Sequence, residues 1–155
     1  MYQYAVIANL ERDGTDLYTL SSLPLHVTIL SIFFSEREPL ELARLVIDAA
    51  AGRQSFSIKV TGRALFGPDA DIPVTTVEKT EMLEALHLRL LEATAGTASF
   101  RAPQYTGDGF SPHVTDQAGR TLQEDQSVMI DNLTFVEIDG QDVRVVEVMN
   151  LASAT

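Results

Sequence analysis

Leu25-His26-Val27-Thr28-Ile29-Leu30 and Phe110-Ser111-Pro112-His113-Val114-Thr115 carry the same triplet, His-Val-Thr. Valine, isoleucine, threonine and phenylalanine favour strands, so each stretch reads as a β-strand. Pro24 and Pro112 stand just ahead of the two histidines. Side chains alternate across a strand, and residues two apart share a face. His26 and Thr28 therefore point one way and Val27 the other; His113, Thr115 and Val114 repeat the arrangement. The chain holds three histidines, and the repeat uses two of them. If the two strands are neighbours, two imidazoles and two hydroxyls converge on one site. Imidazoles titrate near neutrality and can act as acid and base. Threonine hydroxyls can donate to non-bridging phosphate oxygens. The pattern predicts a grip on a phosphodiester.

Working outward from the triplets, Tyr2 to Leu10 reads as a first strand and Asp13-Gly14 as a turn. Leu25 to Phe33 is the second strand. Pro39 opens a helix, with Leu42, Leu45, Val46 and Ala49 on one apolar face and Gly52 as its stop. Phe56, Ile58 and Val60 alternate as a third strand, and Gly62 marks a bulge. Ile72 to Val77 is another strand. Thr80 caps a second helix that buries Leu83, Leu86, Leu90 and Leu91 and ends at Gly96. Phe110 to Thr115, Val128 to Ile138 and Val143 to Met149 complete the strands. Asp139-Gly140 signals the hairpin between the last two. Hairpins outnumber crossover units, which predicts an α+β fold of mainly antiparallel sheet.

Composition narrows the partners. The 155 residues, 45% hydrophobic and 21% charged, suit one domain spanning 1–155 with a core of its own. Twenty-two acidic residues stand against 11 basic ones, a formal net charge of −11, and Lys59 and Lys79 are the only lysines. A long nucleic acid needs a basic track, so none is expected as a partner. A small phosphorylated ligand needs only a few local donors. Cysteine is absent, which excludes disulfides, thiolate–zinc sites and cysteine nucleophiles. Met1 to Arg12 lacks the basic start and apolar core of a signal peptide. Leu23 to Phe34, the most apolar stretch, is shorter than the roughly 20 residues that span a bilayer. The expectation is a cytoplasmic monomer with no membrane partner.

The chain resembles the two-histidine (2H) phosphoesterases, which include 2′-5′ RNA ligase-like proteins and cyclic phosphodiesterases. That family is marked by two His-x-Thr/Ser motifs, one in each half of a pseudo-symmetric fold. Leu25 to Leu30 is similar to its first motif. Phe110 to Thr115 is similar to its second, including the aromatic and proline lead-in, and Tyr4-Ala5-Val6-Ile7-Ala8 fits its usual first strand. The resemblance implies two lobes of antiparallel sheet with outer helices around a central cleft. It implies metal-independent phosphodiester chemistry with no cofactor, in which His26 and His113 exchange protons and Thr28 and Thr115 hold the phosphate. Which histidine is acid and which is base stays open. The candidate substrates are a 2′,3′-cyclic phosphate, a 2′-5′ linkage and a cyclic oligonucleotide, and the charge of −11 favours a small nucleotide or short oligonucleotide. Competing readings are a nucleotide-binding module that uses the same cleft without turnover, and a structural protein with coincidental triplets.

The remaining residues rank lower. Tyr105 is the best of three candidates to stack a base, ahead of Phe110 and Phe34. His87 borders the apolar stripe of the second helix, which favours packing over catalysis. Asp116, where the family often has an apolar residue, reads as the exposed end of a strand; the rival reading has it tuning a histidine. Ligation of a metal by His26, His113 and Asp116 is conceivable, but no metal motif, P-loop or dinucleotide fingerprint is present. Gly107-Asp108-Gly109 is a turn ahead of the second motif. Arg101 and Arg120 are candidate phosphate contacts whose ordinary fate is a solvated surface.

Overall fold

A computed structural model describes residues 1–11 and 14–153. Its strands are β1 (Tyr2–Asn9), β2 (Leu17–Thr19), β3 (His26–Ser35), β4 (Phe56–Phe66), β5 (Ile72–Val77), β6 (Ser99–Phe100), β7 (His113–Thr115), β8 (Ser127–Ile130), β9 (Asn132–Asp139) and β10 (Asp142–Asn150). Its helices are α1 (Pro39–Ala50) and α2 (Glu81–Thr94), and short 3-10 turns cover Pro103–Tyr105 and Gly107–Gly109. The strands form two antiparallel sheets. One has six strands in the order β2-β10-β9-β1-β3-β6, the other four in the order β7-β5-β4-β8. The fold is the expected α+β arrangement, and each sheet contributes one His-Val-Thr strand. The sheets are unequal, and they are not successive halves of the chain. The backbone passes from one to the other after β3, β5, β6 and β8.

One apolar cluster draws on both sheets and both helices. Leu42 and Val46 of α1 and Leu83, Leu86 and Leu90 of α2 pack with Ile58, Val60, Ile29 and Phe33. The helices lie against each other rather than one per sheet. A second cluster covers the opposite face of the six-stranded sheet, where Ala5, Ile7, Val136, Ile138 and Val143 meet Tyr18 and Leu23.

Most local signals form what their chemistry dictates. Gly62 sits at a register shift in the β4–β5 ladder. Gly140 has a φ of +62° at the first position of a two-residue β9–β10 loop, where a type II′ turn wants glycine. The Thr80 hydroxyl accepts from Leu83 N–H at 3.2 Å, with Glu81 and Glu84 in the first turn of α2. Thr80→Ala is expected to lower stability by about 1 kcal/mol in chemical denaturation, with no change in the slope against denaturant.

Three expectations are corrected. Val128 to Ile138 is not one strand: the run breaks at Asp131, with β8 in the four-stranded sheet and β9 in the six-stranded one. No glycine or proline marks the break, because the chain needs only to change partners there. Phe110 to Thr115 narrows to β7. Phe110 N–H is used by Gly107 O at 3.1 Å, and Pro112 has no N–H to give a ladder. Leu91 is only partly buried, and His87 takes its place on the inner face of α2. Asp13 of the Asp13-Gly14 turn lies outside the described residues. Among the described residues no helix is long and apolar enough to cross a membrane.

Candidate active site

Strands β3 and β7 approach each other between the two sheets and bring the triplets to one cleft of about 720 Å³. His26, Thr28, His113 and Tyr105 line it, together with Phe66, Arg101 and an apolar floor from β1, β9 and β10. Thr115 shares the His113 face of β7 by strand alternation but lies outside this cleft wall. Phe34 also stands outside it.

The two histidines are held in the same way. His26 Nδ1 is 2.8 Å from the Pro24 carbonyl oxygen, and His113 Nδ1 is 2.8 Å from the Ser111 carbonyl oxygen. A carbonyl only accepts, so each Nδ1 carries the proton and donates it. Each neutral ring therefore keeps its basic lone pair on Nε2. Both residues are half-buried. Burial pushes both below the ordinary histidine value, the backbone carbonyls oppose the shift, and the charge of His113 lowers His26 further.

The Phe66 ring sits against His113, with centroids 4.5 Å apart and planes at 60°. Sequence reasoning missed it. The available signal is its place on the even-numbered, inward face of β4, just before Gly67-Pro68. Phe110 reaches the cleft wall but is almost wholly buried. His87 stacks on it at 4.0 Å with planes 3° apart, and the Lys79 ammonium lies 5.9 Å from its centroid. Tyr105 is 50% exposed at the cleft edge, which leaves its ring free to meet a planar group.

His87 packs, as its position predicts, and it does more. Its Nε2 accepts from Gly107 N–H at 3.0 Å, so the proton sits on Nδ1, which donates to Ile29 O at 2.7 Å. The ring thus ties β3, one residue past Thr28, to the turn that leads into β7. Burial lowers its pKa, which keeps it in the neutral form that both bonds require.

Asp116 turns to Arg63, not to a histidine. The guanidinium spans the carboxylate at 3.0 and 2.8 Å and also donates to the Thr75 hydroxyl at 2.8 Å. That pairing holds the carboxyl below its usual range. The strand does end at Thr115, as expected, but the acid beyond it is paired and half-buried. Arg120 is engaged by Glu11 and by Leu23 O at 3.1 Å, which leaves Arg101 as the arginine on the cleft wall. Among the described residues no three His, Asp or Glu side chains gather as a metal site.

A family model described as the 2′-5′ RNA ligase superfamily matches residues 5–142. No curated protein matches the chain in sequence. Among solved structures, one described as a phosphoesterase shares 13% identity with a TM-score of 0.66, over 98% of this chain and 99% of that one. Escherichia coli LigT, solved with 3′-AMP, shares 14% identity with a TM-score of 0.59, over 97% of this chain and 98% of LigT. A protein of Thermus thermophilus shares 14% identity with a TM-score of 0.60 over the full length of both chains. At these identities the likeness is one of fold.

Proposed function

Because the chain belongs to the 2′-5′ RNA ligase superfamily, we propose that its cleft is a phosphodiesterase centre working on a nucleotide phosphodiester by two-histidine acid/base chemistry. Family membership supports a phosphodiesterase-type activity. The observation that carries the finer reading is the repeated histidine geometry: two imidazoles lining one cleft, each fixed at Nδ1 by a backbone carbonyl two residues earlier. E. coli LigT has been solved with 3′-AMP, NADP+ and ATP, which supports a small nucleotide as the ligand here.

In hydrolysis, one neutral Nε2 takes a proton from water as the water oxygen bonds to phosphorus. The other ring, protonated, gives its proton to the leaving oxygen as that P–O bond breaks. Water is added across one P–O bond, and the two rings end with their protonation exchanged. A ribose hydroxyl in place of water gives transfer rather than hydrolysis. Thr28, on the cleft wall, donates to a non-bridging oxygen, where negative charge grows in the transition state, while Thr115 stands behind His113 on the same strand face, outside the wall. Tyr105 receives the base. A metal is not needed for these steps.

The test is a substrate panel with excess chelator: 2′,3′-cyclic mononucleotides, a 2′-5′ dinucleotide and a cyclic dinucleotide. Turnover of at least one is expected to survive chelation. Loss of activity on chelation with recovery on zinc or manganese would replace this mechanism with a metal-assisted one. Tight binding without turnover would favour the binding-module reading.

The pH profile carries its own sign. One ring must be neutral and the other protonated, so activity falls below the lower value of the pair and above the higher. Both values are lowered from 6.5 by burial. The maximum of kcat/KM, which reports the free enzyme, is expected on the acid side of pH 6.5. A maximum above pH 7 would mean that groups other than these two set the profile.

A further inference from the structure

The sheet face that looks into the cleft changes character along its strands. Direct partners in an antiparallel ladder share a face. Asn9 stands opposite His26, Ile7 opposite Thr28 and Thr134, Ala5 opposite Val136, and Ile138 opposite Val143. The end beside the first motif is thus polar. Beyond it lies a continuous apolar floor of Ala5, Ile7, Val136, Ile138 and Val143, walled by Leu20 and Ile32. Charge is scarce: among the described residues lining the cleft, Arg101 is the one arginine or lysine, and no carboxylate lines it. The chain around it carries a net −11.

We propose that this cleft selects phosphodiesters with a single negative charge and one uncharged apolar or aromatic substituent. The phosphate lies between His26 and His113, and the substituent lies over Ile7, Val136 and Ile138. The assignment rests on the phosphodiesterase reading and decides which member of that substrate class fits. One phosphate is matched by Arg101 and by whichever histidine is protonated. A second phosphate has no further cation and would leave water for an apolar wall, which is costly for a charge. An apolar substituent gains from the same wall in proportion to the area it buries. A volume of about 720 Å³ suits one small molecule.

The test uses p-nitrophenyl phosphodiesters, which share one leaving group. In the first series the second substituent is methyl, butyl or phenyl. In the second, the p-nitrophenyl ester of thymidine 5′-phosphate is compared with the same ester carrying a 3′-phosphate. Rates are read as kcat/KM, and affinities are read separately by calorimetry. Both are expected to improve along the first series by about fourfold per methylene buried. The added 3′-phosphate is expected to weaken both by tenfold or more. Leu20→Lys, a change in the loop after β2 that places a cation on the wall, should recover most of that loss. A flat first series, or equal or better handling of the 3′-phosphate by the unmodified protein, overturns the proposal. If the affinities show the expected order and no ester is hydrolysed, the selection stands and the phosphodiesterase reading fails.

Discussion

Alanine at His26 or at His113 is expected to lower turnover of the best substrate by about 10²–10⁴-fold, because each substitution removes one partner of the proposed proton exchange. The double variant should lose less than the product of the two single losses, since the rings act as a unit. Each side chain also bonds a backbone carbonyl, so part of an alanine effect could come from the fold. Asparagine separates the two contributions. It keeps a donor near the Pro24 or Ser111 carbonyl and lacks Nε2. His26→Asn and His113→Asn should therefore keep the thermal midpoint of the parent and still lose turnover. Thr28→Val should slow the reaction more than Thr115→Val, because Thr28 lines the cleft and Thr115 lies beyond its wall. Near-parental rates in both histidine variants, with the fold intact, would show the triplets to be structural.

Gly109→Ala is expected to be among the most damaging single-methyl additions in the chain. A Cβ built there comes within 1.9 Å of the Gln104 carbonyl oxygen, which is backbone and cannot swing aside. Overpacking of this kind costs about 1–3 kcal/mol, and each kcal/mol lowers the midpoint of a chain this size by about 2–4 °C. Gly96→Ala is the control, since its Cβ meets nothing within 4 Å and its backbone is not left-handed. The damage should reach the chemistry as well. Gly109 adjoins Phe110, whose ring stacks on His87, and His87 holds the turn at Gly107 N–H. Relief of the clash shifts the segment that delivers His113. An unfolding scan and a rate measurement on the same sample check both effects, and a variant unchanged in both would show that the turn has room to spare.

The elements with local signatures were readable in advance. Thr80 caps α2, Gly62 marks a bulge, and the Asp139-Gly140 signal lies at a real hairpin, because each feature is set by residues within a few positions. The histidine pair was readable for another reason. Repetition supplied the long-range information that a lone motif lacks. What stayed hidden depends on partners distant in the chain. The switch of sheet at Asp131 is marked only by Asp131-Asn132, two residues that strands disfavour, in a run that otherwise favours strand and holds no glycine or proline there. β2 and β6 are two or three residues long and exist only because β10 and β3 offer them an edge. Phe66 against His113, Arg63 around Asp116 and the two hydrogen bonds of His87 all join residues more than 40 positions apart or from separate elements. Charge and periodicity do not encode such meetings.

The place of β1 in the middle of its sheet has a consequence for how the molecule comes into being. β1 is made before the other strands of this fold, yet one of its two neighbours is β9, and the Asn132 side chain ties the strands by accepting from Asn9 N–H at 3.0 Å and donating to Asn9 O at 2.8 Å. Through most of synthesis β1 can pair only with β3. Its other edge, with the apolar side chains of Ala5 and Ile7, waits for residues 132–139. An open apolar strand edge is a template for the wrong partner, and pairing across so much chain is slow to form. The nascent protein therefore carries an open, aggregation-prone edge until β9 docks, and the floor of the cleft is completed only when β10 has added Val143 beyond β9.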